Sequence, residues 1–197
     1  PYAARIVSVL RQLPFADARA MRAAAVLSKW DAHADARGPS RLFFSFLKEM
    51  RKDAGPPGLR VTWSMLEATI AAGDAKRIEG ALARAIEAVE REGGTDPSRW
   101  SWGRAHRLLY PHPFADALPA YVARQLSFGP VALPGEWHTI DVAGFPLRGD
   151  RYDVTEIPSA RLIVDLSEPD ASRLVLPLGQ SGQLFDRHAK DQLKAWS

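Results

Sequence analysis

The chain of 197 residues contains no cysteine and no asparagine, and none of its apolar runs approaches the length needed to cross a bilayer. Without cysteine there is no disulfide framework, so the sequence neither supports nor opposes an oxidising compartment. No signal peptide opens it, and it holds no internal repeat and no low-complexity segment. The five histidines, His33, His106, His112, His138 and His188, include no pair three or four residues apart, so a helical metal-ligating spacing is missing too. These absences predict no metal site and no cofactor in this chain.

What is present is ordinary for a folded protein. With 46% hydrophobic and 25% charged residues the chain can bury a sizeable core in one or two domains. The net charge is +3, but 26 basic residues are interleaved with 23 acidic ones, which describes a solvated surface. A nucleic-acid footprint needs basic residues gathered on one face, so no nucleic-acid partner is predicted.

The first half, residues 1–95, reads as helical. Asp17 can cap a helix whose stripe is Ala20, Ala23, Ala24, Leu27 and Trp30. Ser40, after Pro39, can cap a second with Leu42, Phe43, Phe46, Leu47 and Met50, ended by Gly55-Pro56-Pro57-Gly58. Thr62 can start a short helix carrying Leu66 and Ile70 and stopped at Gly73. Asp74 can cap a longer one with Ile78, Leu82, Ile86 and Val89, terminated at Gly93-Gly94. From Trp100 the helical period is lost, and residues 96–197 read as strand-rich. Val142 with Phe145, the run Tyr152 to Glu156, and the pair Leu162-Ile163-Val164 and Leu174-Val175-Leu176 read as short strands, followed by a last helical turn around Asp191 to Ala195. The near-continuous apolar character of the last pair predicts burial on both faces. The physical argument supports an α+β fold, helices first and strands later.

The order of residues at the end of the chain is more specific. A strand ending in Asp165-Leu166-Ser167 and a strand ending in Pro177 are followed by Gly179-Gln180-Ser181-Gly182, then Phe185, His188, Asp191-Gln192 and Trp196. Further back stand Trp100-Ser101-Trp102-Gly103-Arg104-Ala105-His106 with Pro111-His112-Pro113, and Leu27, Trp30 and Asp31 with Asp35-Ala36-Arg37-Gly38 and Leu42-Phe43-Phe44. Tyr2-Ala3-Ala4-Arg5-Ile6 with Leu10 opens the chain. Together these resemble the β subunit of the penicillin amidase family of N-terminal-nucleophile amide hydrolases, with Ala36 where the family has serine. The likeness is weakest between Lys48 and Glu92.

The resemblance implies a place in an αββα sandwich and a share in cleaving the amide between an acyl group and an amine. It also implies that the nucleophile is not in this chain. The family's nucleophile opens its β subunit, whereas this chain opens on Pro1, and an oxyanion-hole asparagine has no counterpart. The expectation is a C-terminal portion of a larger acylase, supplying scaffold and inactive alone. Its partners would be the remaining α and β segments of the same precursor and an acylated small-molecule substrate. The location implied is periplasmic or secreted, and any calcium of the complete enzyme would belong to other segments.

The resemblance implies one residue near the chemistry: Arg5, whose guanidinium fork would help orient the active-site network. The other reading of Arg5 is an arginine on the exposed face of a short helix. His106, His112 and His188 read as hydrogen-bonded structural residues. Ser181 does not fit a nucleophile elbow, because Gly182 follows it directly and no helix does. An N-terminal proline base does not suit a helical opening, so cleavage or truncation of a longer precursor explains Pro1 better. Substrate-binding residues are not identifiable. Asp35-Ala36-Arg37-Gly38 leans towards the long-chain and acyl-homoserine-lactone acylases, and Gly149-Asp150 towards the penicillin G branch. A different class remains beside this one: a non-catalytic binding module derived from the acylase fold.

Overall fold

A computed structural model of the chain describes residues 2–36, 38–53, 62–147, 151–183 and 186–196. The expectations placed on Pro1, Arg37, Gly55 to Gly58, Gly149-Asp150 and Phe185 lie outside the described residues. Five helices come first: α1 (Tyr2–Leu10), α2 (Ala18–Ser28), α3 (Ser40–Lys52), α4 (Trp63–Ala71) and α5 (Ala75–Gly93). Then follow α6 (Trp102–Ala105), β1 (Arg107–Tyr110), α7 (Ala120–Leu126), β2 (Phe128–Ala132), β3 (Arg161–Ile163), β4 (Arg173–Val175) and α8 (Leu193–Trp196). The fold is α+β.

Three of the helix starts follow from local chemistry. The Asp17 carboxylate accepts from the amides of Arg19 at 2.8 Å and Ala20 at 3.1 Å. Thr62 Oγ1 accepts from Met65 N at 3.3 Å, and Asp74 Oδ1 from Arg77 N at 3.1 Å. Each satisfies an amide that the first helical turn leaves without an intrahelical partner. Ser40 departs from expectation. Pro39 occupies the cap position, and the Ser40 hydroxyl instead donates to the carbonyl of His33 at 3.1 Å. At the far end of α5, Gly94 takes φ +73°, a conformation glycine adopts without strain.

α3 is enclosed on every side, with all residues from Ser40 to Met50 buried. It packs against α2, α4, α5 and α6. Burial carries charges with it, and they are paired. Glu49 accepts from Lys52 at 2.7 Å and Arg84 at 3.1 Å, while Arg41 pairs with Glu92. Burial opposes ionisation of Glu49, but the hydrogen bonds from Lys52 and Arg84 outweigh it and hold the carboxyl below its ordinary range.

The helical core does not stop at residue 95. It takes in Trp100, Trp102, Ala105, Phe145, Leu147 and Tyr152. Trp102 is the joint: its indole stacks on Phe44 at 4.5 Å and on His106 at 4.4 Å, with Phe145 edge-on at 5.2 Å and Tyr152 tilted at 5.3 Å. Its Nε1 donates to the Gly135 carbonyl at 3.1 Å. Gly103 must be glycine, since a Cβ there would sit 2.8 Å from the Ala132 Cβ and 3.2 Å from the Ala36 oxygen.

The second half holds less strand than its alternation predicts. Around Val142–Phe145 and Tyr152–Glu156 there are only single bridges, Leu108 to Val154 and Gly144 to Glu156. Phe145 and Tyr152 are drawn into the helical core instead of a ladder. Helices α6 and α7 nonetheless form after Trp100, the first four residues long and the second with no buried residue, so neither shows an apolar period. The strands make two antiparallel pairs: β1 with β2, broken by an irregularity between Leu108 and Tyr110, and β3 with β4, with Leu162 opposite Leu174. The expected burial of β3 and β4 on both faces does not occur within this chain. Leu162 is 65%, Ile163 69%, Val164 57% and Leu174 57% exposed.

His106 shows how the loops are tied to this frame. It is fully buried, with Nδ1 2.8 Å from the Leu133 oxygen and Nε2 3.1 Å from the Ala143 oxygen. Burial pushes its pKa below the ordinary 6.5, against the two carbonyls that favour the cation. A base whose pKa is depressed by folding is held neutral, so its contribution to stability is complete above pH 6.5 and is lost as pH falls. His188 runs the opposite way, raised chiefly by its hydrogen bond to Asp191, but it lies at the surface where solvent weakens the effect. The thermal midpoint is therefore expected to fall between pH 7 and pH 5, and His106→Gln to flatten that slope. A slope unchanged by the substitution would assign it to other groups.

Candidate functional site

The end of the chain, despite its distinctive sequence, is a structural lock. A Cβ on Gly179 would collide with the His188 carbonyl. The same carbonyl accepts from Ser181 N at 3.2 Å. His188 Nδ1 meets Asp191 at 2.7 Å, and Gln192 Oε1 accepts from Leu176 N at 2.7 Å. Trp196 is buried beneath the Arg161 guanidinium, 4.3 Å from its ring, and Arg161 pairs with Asp141 at 2.6 Å. The Ser181 hydroxyl accepts from Gln183 N at 3.1 Å, a local turn. His112 is likewise engaged locally, its Nδ1 accepting from Phe114 N at 3.2 Å.

A cleft of about 940 Å³ opens between α1, the start of α4, residues 30–34 and residues 136–140. Its walls are rings: Tyr2, Trp30, Phe44 and Trp63. Tyr2 lies 5.6 Å from Trp63 and 5.0 Å from His138, which is 5.4 Å from Trp63. Beneath them is Glu136, whose side chain is only 7% exposed. Its Oε2 lies 3.1 Å from His138 Nδ1 and accepts from the Tyr2 hydroxyl at 3.5 Å. Burial pushes the Tyr2 pKa up and the Glu136 carboxylate adds to it, so this phenol remains a donor.

The loop that carries Glu136 is pinned at both ends. Thr139 Oγ1 accepts from Glu136 N at 3.0 Å, and Trp137 Nε1 donates to the Phe145 carbonyl at 2.7 Å. Gly135 takes φ +87° and its amide donates to the Ala34 carbonyl at 2.7 Å. The carboxylate thus has a fixed position before any ligand arrives.

Arg5 stands on the wall of the same cleft. Its Nε and Nη2 each lie 2.6 Å from Glu67 Oε1, joining α1 to α4. The side chain is 70% exposed. The exposure fits the reading of an arginine on the exposed face of a short helix, and the side chain also borders the cleft. The geometry does not bring Arg5 together with Ser181, His106, His112 or His188. Glu136, His138 and Trp63 were not singled out by sequence, because Tyr2 and Glu136 are separated by 134 positions and no local pattern joins them.

Among the described residues no group of three or more His, Asp and Glu is placed to hold a metal ion. No described helix is long and apolar enough to cross a membrane.

Comparison of the sequence with known proteins finds relatives. The acyl-homoserine lactone acylase QuiP of Pseudomonas putida is 32% identical over 115 residues, covering 58% of this chain and 14% of that protein. QuiP of Pseudomonas aeruginosa is 30% identical over 125 residues, covering 58% of this chain and 15% of that protein. QuiP of Pseudomonas syringae pv. tomato is 32% identical over 124 residues, with 58% and 14% covered. The chain therefore spans about one seventh of the length of these relatives. The family profile for penicillin amidase matches residues 1–197, and the chain belongs to the penicillin amidase family.

Proposed function

We propose that this chain is the scaffold portion of an acylase that hydrolyses the amide between an acyl group and an amine, acyl-homoserine lactones being the substrates indicated by the names of its relatives. The observation that carries the reading is the β3–β4 hairpin. It leaves Leu162, Ile163, Val164 and Leu174 uncovered in a chain that accounts for 14% of a relative's length. Burying such side chains is worth roughly 1.5–3 kcal/mol apiece, so surface of this kind is built to be covered. The cover is the rest of the same precursor.

In the assembled enzyme the nucleophile comes from that remainder. Its hydroxyl attacks the amide carbonyl, its own α-amine takes the proton and passes it to the leaving amine, donors hold the tetrahedral oxyanion, and water then cleaves the acyl ester to release the acid and restore the hydroxyl. This chain contributes the frame on which those groups are set. Arg5 is its positioning residue, five donors in a rigid fork at the edge of the cleft.

The test is to assay the purified 197-residue chain against N-acyl-homoserine lactones and chromogenic penicillin-side-chain amides, alone and after assembly with the remaining segments. The chain alone is expected to release no amine, and the assembly to release it. Turnover by the chain alone, free of contaminating polypeptides, would overturn the scaffold reading. An assembly that forms and hydrolyses nothing would leave a binding module in its place.

A further inference from the structure

The cleft has the size of a small-molecule site, about 940 Å³, and combines ring walls with fixed polar groups. Its charge is one-sided. The described lining holds three carboxylates, Asp31, Glu67 and Glu136, and a single guanidinium, Arg5. Arg5 is already committed to Glu67 at 2.6 Å. Among the described residues the ion-pair partners of Asp31 and Glu136 are histidines, His33 at 3.4 Å and His138 at 3.1 Å, and a histidine offsets a carboxylate only when protonated.

Glu136 is the decisive group. Both of its side-chain contacts fall on Oε2, and among the described residues Oε1 accepts no hydrogen bond. A carboxylate oxygen with spare accepting capacity, in a side chain only 7% exposed on the lining of a cavity, can take a donor from a ligand. The rings beside it add a second preference, because the faces of Trp and Tyr attract a cation electrostatically. A carboxylate ligand would meet the field of Asp31 and Glu136. A neutral ligand would fill the apolar wall and leave that field unused.

We propose that this cleft is a binding site for a protonated amine with an apolar body, its ammonium held at Glu136 Oε1 and its body against Tyr2, Trp63 and Trp30. The site shares its wall with Arg5, and the proposal concerns binding, which is read out separately from hydrolysis.

The experiment uses three probes of similar size on the full chain at pH 7: 2-phenylethylamine, 2-phenylethanol and 3-phenylpropionate. Affinity is measured by calorimetry, and location by the indole N–H resonances of Trp63 and Trp30. The amine is expected to bind about tenfold more tightly than the alcohol, the scale of adding a charge-assisted hydrogen bond and cation–π attraction. Glu136→Gln should abolish that preference. Equal affinity for amine and alcohol, tighter binding of the carboxylate, shifts confined to other tryptophans, or no binding at all would each overturn the proposal. The probe comparison is made on the unsubstituted chain, so it decides the matter even if the glutamine variant fails to fold.

Discussion

Trp102→Ala is expected to cost about 3–5 kcal/mol of folding stability, as large aromatic truncations in cores do. That is a large share of the 5–15 kcal/mol that holds a typical domain together. The size follows from what the indole touches. It is fully buried, stacked between Phe44 of α3 and His106, with Phe145 and Tyr152 against its flanks. Alanine would leave a cavity where two halves of the chain meet, and would strip the Gly135 carbonyl of its donor. Since Gly135 precedes Glu136, the carboxylate of the cleft should lose its fixed position as well. Urea unfolding followed by far-ultraviolet circular dichroism measures the loss. A cost below about 1 kcal/mol would mean that the helical half and the later loops are held together by something other than this joint.

Arg5→Lys is expected to lower turnover of the assembled acylase by about 10–100-fold, the scale of a misplaced active-site geometry. Stability should hardly change. The Arg5–Glu67 pair lies at the surface, with side chains 70% and 31% exposed, and such pairs contribute at most about 1 kcal/mol. Lysine keeps the charge and can still meet Glu67, but it loses the planar fork that holds two directions at once. The effect should fall on kcat more than on KM, as expected of a residue that positions the reacting groups. Unchanged kcat at unchanged thermal midpoint would make Arg5 a surface residue and nothing more.

Much of the helical half was legible because its causes are local. Asp17, Thr62 and Asp74 cap within three residues of themselves, and the stripes they precede are the buried faces of α2, α4 and α5. Ser40 failed as a cap because its hydroxyl found the carbonyl of His33, seven positions back. The runs around Phe145 and Tyr152 alternate like strands, yet their large rings had a better place against Trp102 than in a ladder. α7 escaped notice because no residue of it is buried, so it carries no apolar stripe to read. The hairpin strands were foreseen and their exposure was not, since burial depends on what lies above a strand as well as on the strand itself. The cleft was the least legible part: helix α1, helix α4 and a loop near residue 136 meet there only through the tertiary fold.

The enclosure of α3 governs how the molecule opens. A helix with one solvent face can fray while its neighbours stay in place, and its amides then exchange protons through small local fluctuations. α3 has no such face from Ser40 to Met50. Water reaches its backbone only when α2 and α5 have already moved away, so the protection of its amides is set by the opening of the whole helical cluster. In this chain α3 is the last element to feel a disturbance at the surface and the first to report the loss of the fold.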